Sequence, residues 1–178
     1  MIRAVLWDFD GTLADSTELI MRCYRHTMEM HLGECPPDEV WLSGFGMTLE
    51  SQIARFARSE EENGAMLHTY RSFQLSCHDA MLRPFAGAVE TVAELARQGI
   101  TLAIVTSKHR ESALRELEVS PADALFVGDS PHDVAAGRAA GTRTAGALWG
   151  PFPRAALEAA RPNVLLERPA DVLKLLLT

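Results

Sequence analysis

Val5-Leu6-Trp7-Asp8-Phe9-Asp10-Gly11-Thr12 is the stretch that decides the fold. An apolar run of the kind that forms a buried strand ends in two carboxylates separated by one phenylalanine. Residues two apart on a strand face the same side. Asp8 and Asp10 are therefore expected to point together into a crevice at the strand's carboxyl end. Gly11 then lets the backbone turn sharply away.

Working outward, the same kind of run recurs. Short stretches rich in β-branched residues cover 2–6, 100–105, 124–127 and 142–148, with a last one at 164–166. Helical patterns at 88–98, 110–117, 133–140, 155–160 and 170–177 alternate with them. Strand, helix, strand, helix predicts an α/β fold, a Rossmann-like parallel sheet covered by helices on both faces. Residues 15–81 break the rhythm. Leu19, Ile20, Cys23, Tyr24 and Met28 follow helical spacing, as do Leu49, Ile53 and Phe56, and Thr48 fits an N-cap. No convincing strand lies there. The expected organisation is a core of residues 1–14 and 82–178 with a helical insert, 15–81, directly after the first strand. Met21, Met28, Met30 and Met66 are expected in the core of that insert.

Bulk properties narrow the function. The chain has 178 residues, 47% of them hydrophobic, enough for one domain with a real core. A net charge of −7, with no basic run, argues against nucleic acid and anionic membrane partners. The N-terminus lacks a signal-peptide layout and no apolar run reaches membrane-spanning length, so a cytoplasmic location is expected. Cys23, Cys35 and Cys77 are odd in number and lack metal-ligand spacing, which suits free thiols in a reducing compartment.

The other strand ends carry chemistry too. One is Phe126-Val127-Gly128-Asp129-Ser130-Pro131-His132-Asp133, where Ser130 fits a helix cap and Pro131 a first helical position. Another ends at Thr106-Ser107-Lys108. Open α/β sheets bind ligands at this edge. Clustered carboxylates repel unless a cation joins them, and Mg²⁺ is the hard, oxygen-ligated choice. With it in place, one carboxylate can attack a phosphoryl group while another moves protons. Hydroxyls, backbone N–H groups and a lysine, drawn from Thr106, Ser107, Gly11 and Lys108, can hold the phosphate oxygens.

Asp8-Phe9-Asp10-Gly11-Thr12, the strand-end Thr106 and Gly128-Asp129-Ser130-Pro131-His132-Asp133 together resemble the haloacid dehalogenase superfamily in its phosphatase branch. The chain looks most like the phosphoglycolate phosphatase and pyrophosphatase relatives, with the insert similar to their small helical cap. The resemblance implies an Mg²⁺-dependent phosphatase acting on a small phosphorylated metabolite through an aspartyl-phosphate. It implies that Asp8 is the nucleophile and Asp10 the general acid/base, whose backbone carbonyl also meets the metal. Thr106 matches the phosphate-binding hydroxyl, Asp129 a direct metal ligand, and Asp133 its support. A phosphomutase of the same family and a non-catalytic relative that binds phospho-metabolites or a protein stay open as alternatives.

One departure stands out. The family has a further strand, followed by a lysine, between the Thr106 strand and the Asp129 strand. Here residues 111–123 run from one helix straight to the next strand, so a unit of about 30 residues is missing. The chain has two lysines, Lys108 and Lys174, and only Lys108 lies near a motif, so either Lys108 stands in for the family's lysine or phosphate hydrolysis is impaired. Loss of that unit leaves the Thr106 strand as an exposed edge where a second copy of the chain is expected to pair.

Overall fold

The protein is described from a computed structural model, which covers residues 1–105 and 119–177. Thr106, Ser107, Lys108 and the helix expected over 110–117 lie outside the described residues. The described chain divides into two compact units, Met1–Asp15 with Arg83–Thr178, and Ser16–Leu82.

The first unit is a five-stranded parallel sheet. Strand β1, Ala4–Trp7, lies inside the sheet, next to its end strand among the described residues. Strand β4, Thr101–Ile104, pairs with it on one side and β5, Ala124–Gly128, on the other. Strands β6, Arg143–Ala147, and β7, Val164–Leu166, extend the sheet to give the order β4-β1-β5-β6-β7. The period of two sorts the strand residues cleanly. Val5, Trp7, Leu125, Val127, Ala145 and Ala147 join one core, with Leu95, Leu166 and Val172. Ala4, Leu6, Ala124 and Phe126 join the other, with Val105. Both faces are covered, which is why β1 and β5 read as unbroken apolar runs rather than alternating ones. Helices α5, Ala88–Arg97, α6, Pro131–Ala139, and α7, Arg154–Ala160, fall close to the expected spans. The last segment, Pro169–Leu177, is a 3₁₀ helix rather than an α-helix. Its turn is held by Asp171, whose carboxylate accepts from the backbone N–H groups of Glu167 and Arg168, both at 3.2 Å.

Sequence periodicity misses one element. Ala14–Asp15, β2, pairs antiparallel with Arg83–Pro84, β3. Two residues a side carry no hydrophobic period, so backbone hydrogen bonds alone define this ribbon. Among the described residues β4 is the end strand of the sheet, and its Ile104 is 57% exposed.

The second unit is helical: α1, Thr17–Leu32, α2, Asp38–Leu42, α3, Leu49–Ala54, and α4, Glu60–Met81. The Thr48 hydroxyl accepts from Ser51 N–H and caps α3. Tyr24 stacks on Trp41 with ring centroids 4.7 Å apart, and Phe56 and Tyr70 pack around the same indole. Met21, Met28 and Met66 are buried in this core, but Met30 is 67% exposed and does not belong to it. Met30 sits two positions beyond Met28, about 200° around the helix, which turns it to the opposite face.

Leu125→Ala, at a fully buried central-strand position, is expected to cost about 2–5 kcal/mol of stability in urea unfolding. Leu75→Ala, at a position 80% exposed, should stay within about 0.5 kcal/mol.

Candidate active site

The strand ends β1 and β5 lie side by side, and the site grows from that adjacency. Asp8 follows β1 directly, and its N–H donates to the Val127 carbonyl at 2.9 Å, carrying the β1–β5 pairing one residue past the strand. The chain then turns hard. The Phe9 carbonyl accepts from Leu13 N–H at 3.0 Å and Ala14 N–H at 2.9 Å. Gly11 holds φ at +81°, a left-handed conformation that favours glycine. A Cβ there would also lie 2.8 Å from the Asp129 carboxyl carbon and both its oxygens.

Asp129 is the first residue after β5 and is buried. Ser130 caps α6 in a reciprocal box. Its hydroxyl accepts from Asp133 N–H at 3.1 Å, and one Asp133 carboxylate oxygen accepts from Ser130 N–H at 3.1 Å and from its hydroxyl at 2.6 Å. The capping role and the cluster role of Asp133 are therefore served by one side chain. The structure brings Asp8, Asp129 and Asp133 together, with one carboxylate oxygen from each inside a set spanning no more than 4.8 Å. Asp10 is not one of this trio, and its side chain is exposed whereas Asp8 is half-buried.

Sequence alone marks no role for three further residues that meet the cluster. The Thr12 hydroxyl, fully buried, donates to Asp129 Oδ1 at 3.1 Å. The indole N–H of Trp149, just past β6, donates to the Thr12 carbonyl at 2.8 Å. A Cβ on Gly150 would lie 2.3 Å from Asp129 Cβ and 2.6 Å from the Gly11 carbonyl oxygen. The sequence signal for this last pair is faint: a Trp-Gly-Pro immediately after a predicted strand. Val105, the last described residue before Thr106, donates its N–H to the Trp7 carbonyl at 2.8 Å, so the β4 chain is still running beside β1 at the level of the site. Of the two lysines, Lys174 donates to Asp171 at 2.7 Å on the terminal helix.

The electrostatics follow from the crowding. Burial, reinforced by Asp133, Asp129 and Asp10, pushes the Asp8 carboxyl up to about 9. Burial and Asp133 push Asp129 up to about 7 against the opposing Thr12 hydrogen bond. Three hard carboxylate oxygens at this spacing suit a small divalent cation such as Mg²⁺.

Comparison with known proteins agrees with this geometry. The model of the haloacid dehalogenase-like hydrolase family matches residues 5–119, and that of a related hydrolase family of the same kind matches residues 106–175. The chain is 31% identical to pyrophosphatase PpaX of Bacillus cereus, over 98% of this chain and 96% of that protein. The match runs over 210 aligned positions, more than the 178 residues of the chain, so at least 32 of those positions have no counterpart here. A haloacid dehalogenase-like family hydrolase from Streptococcus pneumoniae shares the fold with a TM-score of 0.84 at 24% identity, covering 98% of each chain. A predicted phosphoglycolate phosphatase from Haemophilus somnus does so with a TM-score of 0.80 at 19% identity, covering 98% of this chain and 97% of that one.

The raised carboxyls set a pH dependence. Unfolded aspartate titrates near 3.8, so metal-free folded protein holds protons at Asp8 and Asp129 that the unfolded chain has released. Their contribution to stability is complete below 3.8 and is lost as pH rises through about 7 and then about 9. In a chelator, the melting temperature should fall across pH 6–9, and Asp8→Asn with Asp129→Asn should flatten the slope. Added Mg²⁺ should stabilise more at pH 9 than at pH 6. A slope unchanged by the paired substitution would refute the assignment.

Proposed function

The chain belongs to the haloacid dehalogenase-like hydrolase family, and on that premise we propose that it is an Mg²⁺-dependent phosphatase acting on a small phosphomonoester of the phosphoglycolate type. The observation that carries this reading is the convergence of Asp8, Asp129 and Asp133 at the carboxyl ends of β1 and β5. Those three side chains, with the backbone carbonyl of Asp10, would hold the cation. Bound there, Mg²⁺ supplies charge neutralisation and polarises a phosphoryl oxygen.

The rest is the work of the chain's own groups. An Asp8 carboxylate oxygen attacks phosphorus, and the bond from phosphorus to the leaving alcohol oxygen breaks as Asp10 gives that oxygen a proton. The product of this half is an aspartyl-phosphate. Asp10, now ionised, takes a proton from water as the water oxygen attacks phosphorus. The Asp8–phosphorus bond breaks, releasing inorganic phosphate and restoring both carboxyl groups. The exposed position of Asp10 favours such proton exchange. Thr106, Ser107 and the Gly11 backbone are assigned to the phosphate oxygens.

The positive charge opposite them is assigned to Lys108. Lys174 is engaged with Asp171, and the match to PpaX runs at least 32 positions longer than this chain.

Asp8→Asn is expected to abolish turnover of a generic phosphomonoester with the circular dichroism spectrum unchanged; near wild-type turnover would rule out the covalent route. Asp129→Ala should remove the Mg²⁺-dependent rise in melting temperature, and persistence of that rise would remove Asp129 from the ligand set. Lys108→Ala should lower kcat by about two to three orders of magnitude, the usual effect of deleting one positioned donor at developing charge. An unchanged kcat would overturn its assignment.

A further inference from the structure

We propose that Trp149 and Gly150, in the loop after β6, are positioning residues that set the divalent-cation affinity of the acidic cluster by bracing Asp129 through Thr12 and Gly11. The inference rests on the reading of Asp8, Asp129 and Asp133 as a cation site and adds the parts that aim one of its ligands.

A ligand carboxylate is useful only if its rotamer is fixed before the cation arrives. Asp129 is fixed from three directions. The Thr12 hydroxyl donates to Oδ1, the Cα of Gly11 lies against the carboxylate, and the Cα of Gly150 lies against Cβ. Thr12 itself sits in a turn whose peptide is pinned from outside by the Trp149 indole N–H. The chain of contacts therefore runs from the loop after β6, through the turn after β1, to the residue after β5, and ties three strand ends into one assembly. Trp149 also packs against the main core, so its bulk and its N–H have separable duties. Phenylalanine keeps most of the bulk and loses the N–H. At Gly150 even a methyl group collides with both Asp129 and the Gly11 carbonyl, so alanine there must push the ligand or its turn aside.

The test uses full-length protein stripped of metal, titrated with Mg²⁺ by calorimetry, with melting curves recorded with and without Mg²⁺. Wild type is compared with Trp149→Phe, Gly150→Ala, Thr12→Val and Thr12→Ser. Thr12→Val and Trp149→Phe are expected to weaken Mg²⁺ binding about ten-fold, the usual effect of removing an outer hydrogen-bond partner of a metal ligand. Gly150→Ala should weaken it at least as much. Thr12→Ser, which keeps the donor, should restore affinity to within about two-fold of wild type. The metal-free melting temperatures of Trp149→Phe and Thr12→Ser should stay close to wild type.

A merely structural brace would give the opposite pattern, with lowered metal-free melting temperatures and wild-type Mg²⁺ affinity in both Trp149→Phe and Thr12→Val. That result overturns the inference, and it does so even if Gly150→Ala fails to fold. If wild type itself shows no Mg²⁺ binding, the cation reading of the cluster falls, and the brace falls with it.

Discussion

Three carboxylates held within hydrogen-bonding distance of a common point repel one another, and the rest of the site depends on how that repulsion is withstood. Two full charges at the spacing of Asp8, Asp129 and Asp133 oppose each other by roughly 3–4 kcal/mol at an effective dielectric of about 20. The fold resists by building the acids into its own framework. Asp8 is locked by the hydrogen bond of its N–H to β5. Asp133 is locked because its carboxylate closes a helix cap with Ser130. Asp129 is locked because Thr12 and two glycines surround it. Each group is held by contacts that also shape the backbone, so the acids cannot drift apart without unmaking a strand end, a turn or a helix start. The raised titration of Asp8 and Asp129 comes first from their burial and then from this repulsion.

How much of this is legible in the sequence depends on the range of the interaction. The sheet is legible because β1 and β5 are buried on both faces, and an apolar run records that directly. The Ser130–Asp133 box is legible because capping spans three residues. The Thr48 cap is legible for the same reason. The grouping of Asp8 with Asp129 is only indirectly legible, through the expectation that strand ends gather at one sheet edge. By contrast, the Thr12–Trp149 hydrogen bond joins residues 137 apart in sequence, and no local pattern announces it. The ribbon of β2 and β3 is hidden because two-residue strands leave no period to read.

The helical unit shows the same contrast between local and distant order. Its core is an aromatic nest in which Tyr24, Trp41 and Tyr70 come from α1, α2 and α4 and Phe56 from the segment after α3. Tyr24 also donates its hydroxyl to the Pro36 carbonyl at 2.7 Å, tying α1 to the segment that leads into α2. Arg25 and Asp38 form a two-pronged ion pair alongside it. These contacts give the unit a core made of its own residues, with the buried methionines filling the spaces between rings.

The short ribbon of Ala14–Asp15 with Arg83–Pro84 places the two ends of the intervening chain side by side. Topologically, the sheet domain treats everything from Ser16 to Leu82 as the loop of a hairpin. Closing a longer loop between ends already held together adds entropy cost only logarithmically with length. The sheet therefore tolerates replacement of that segment by one of another size or shape with little change to its own folding. A chain built this way can exchange the inserted module, and inherit whatever that module recognises, while the acids at the strand ends stay where they are.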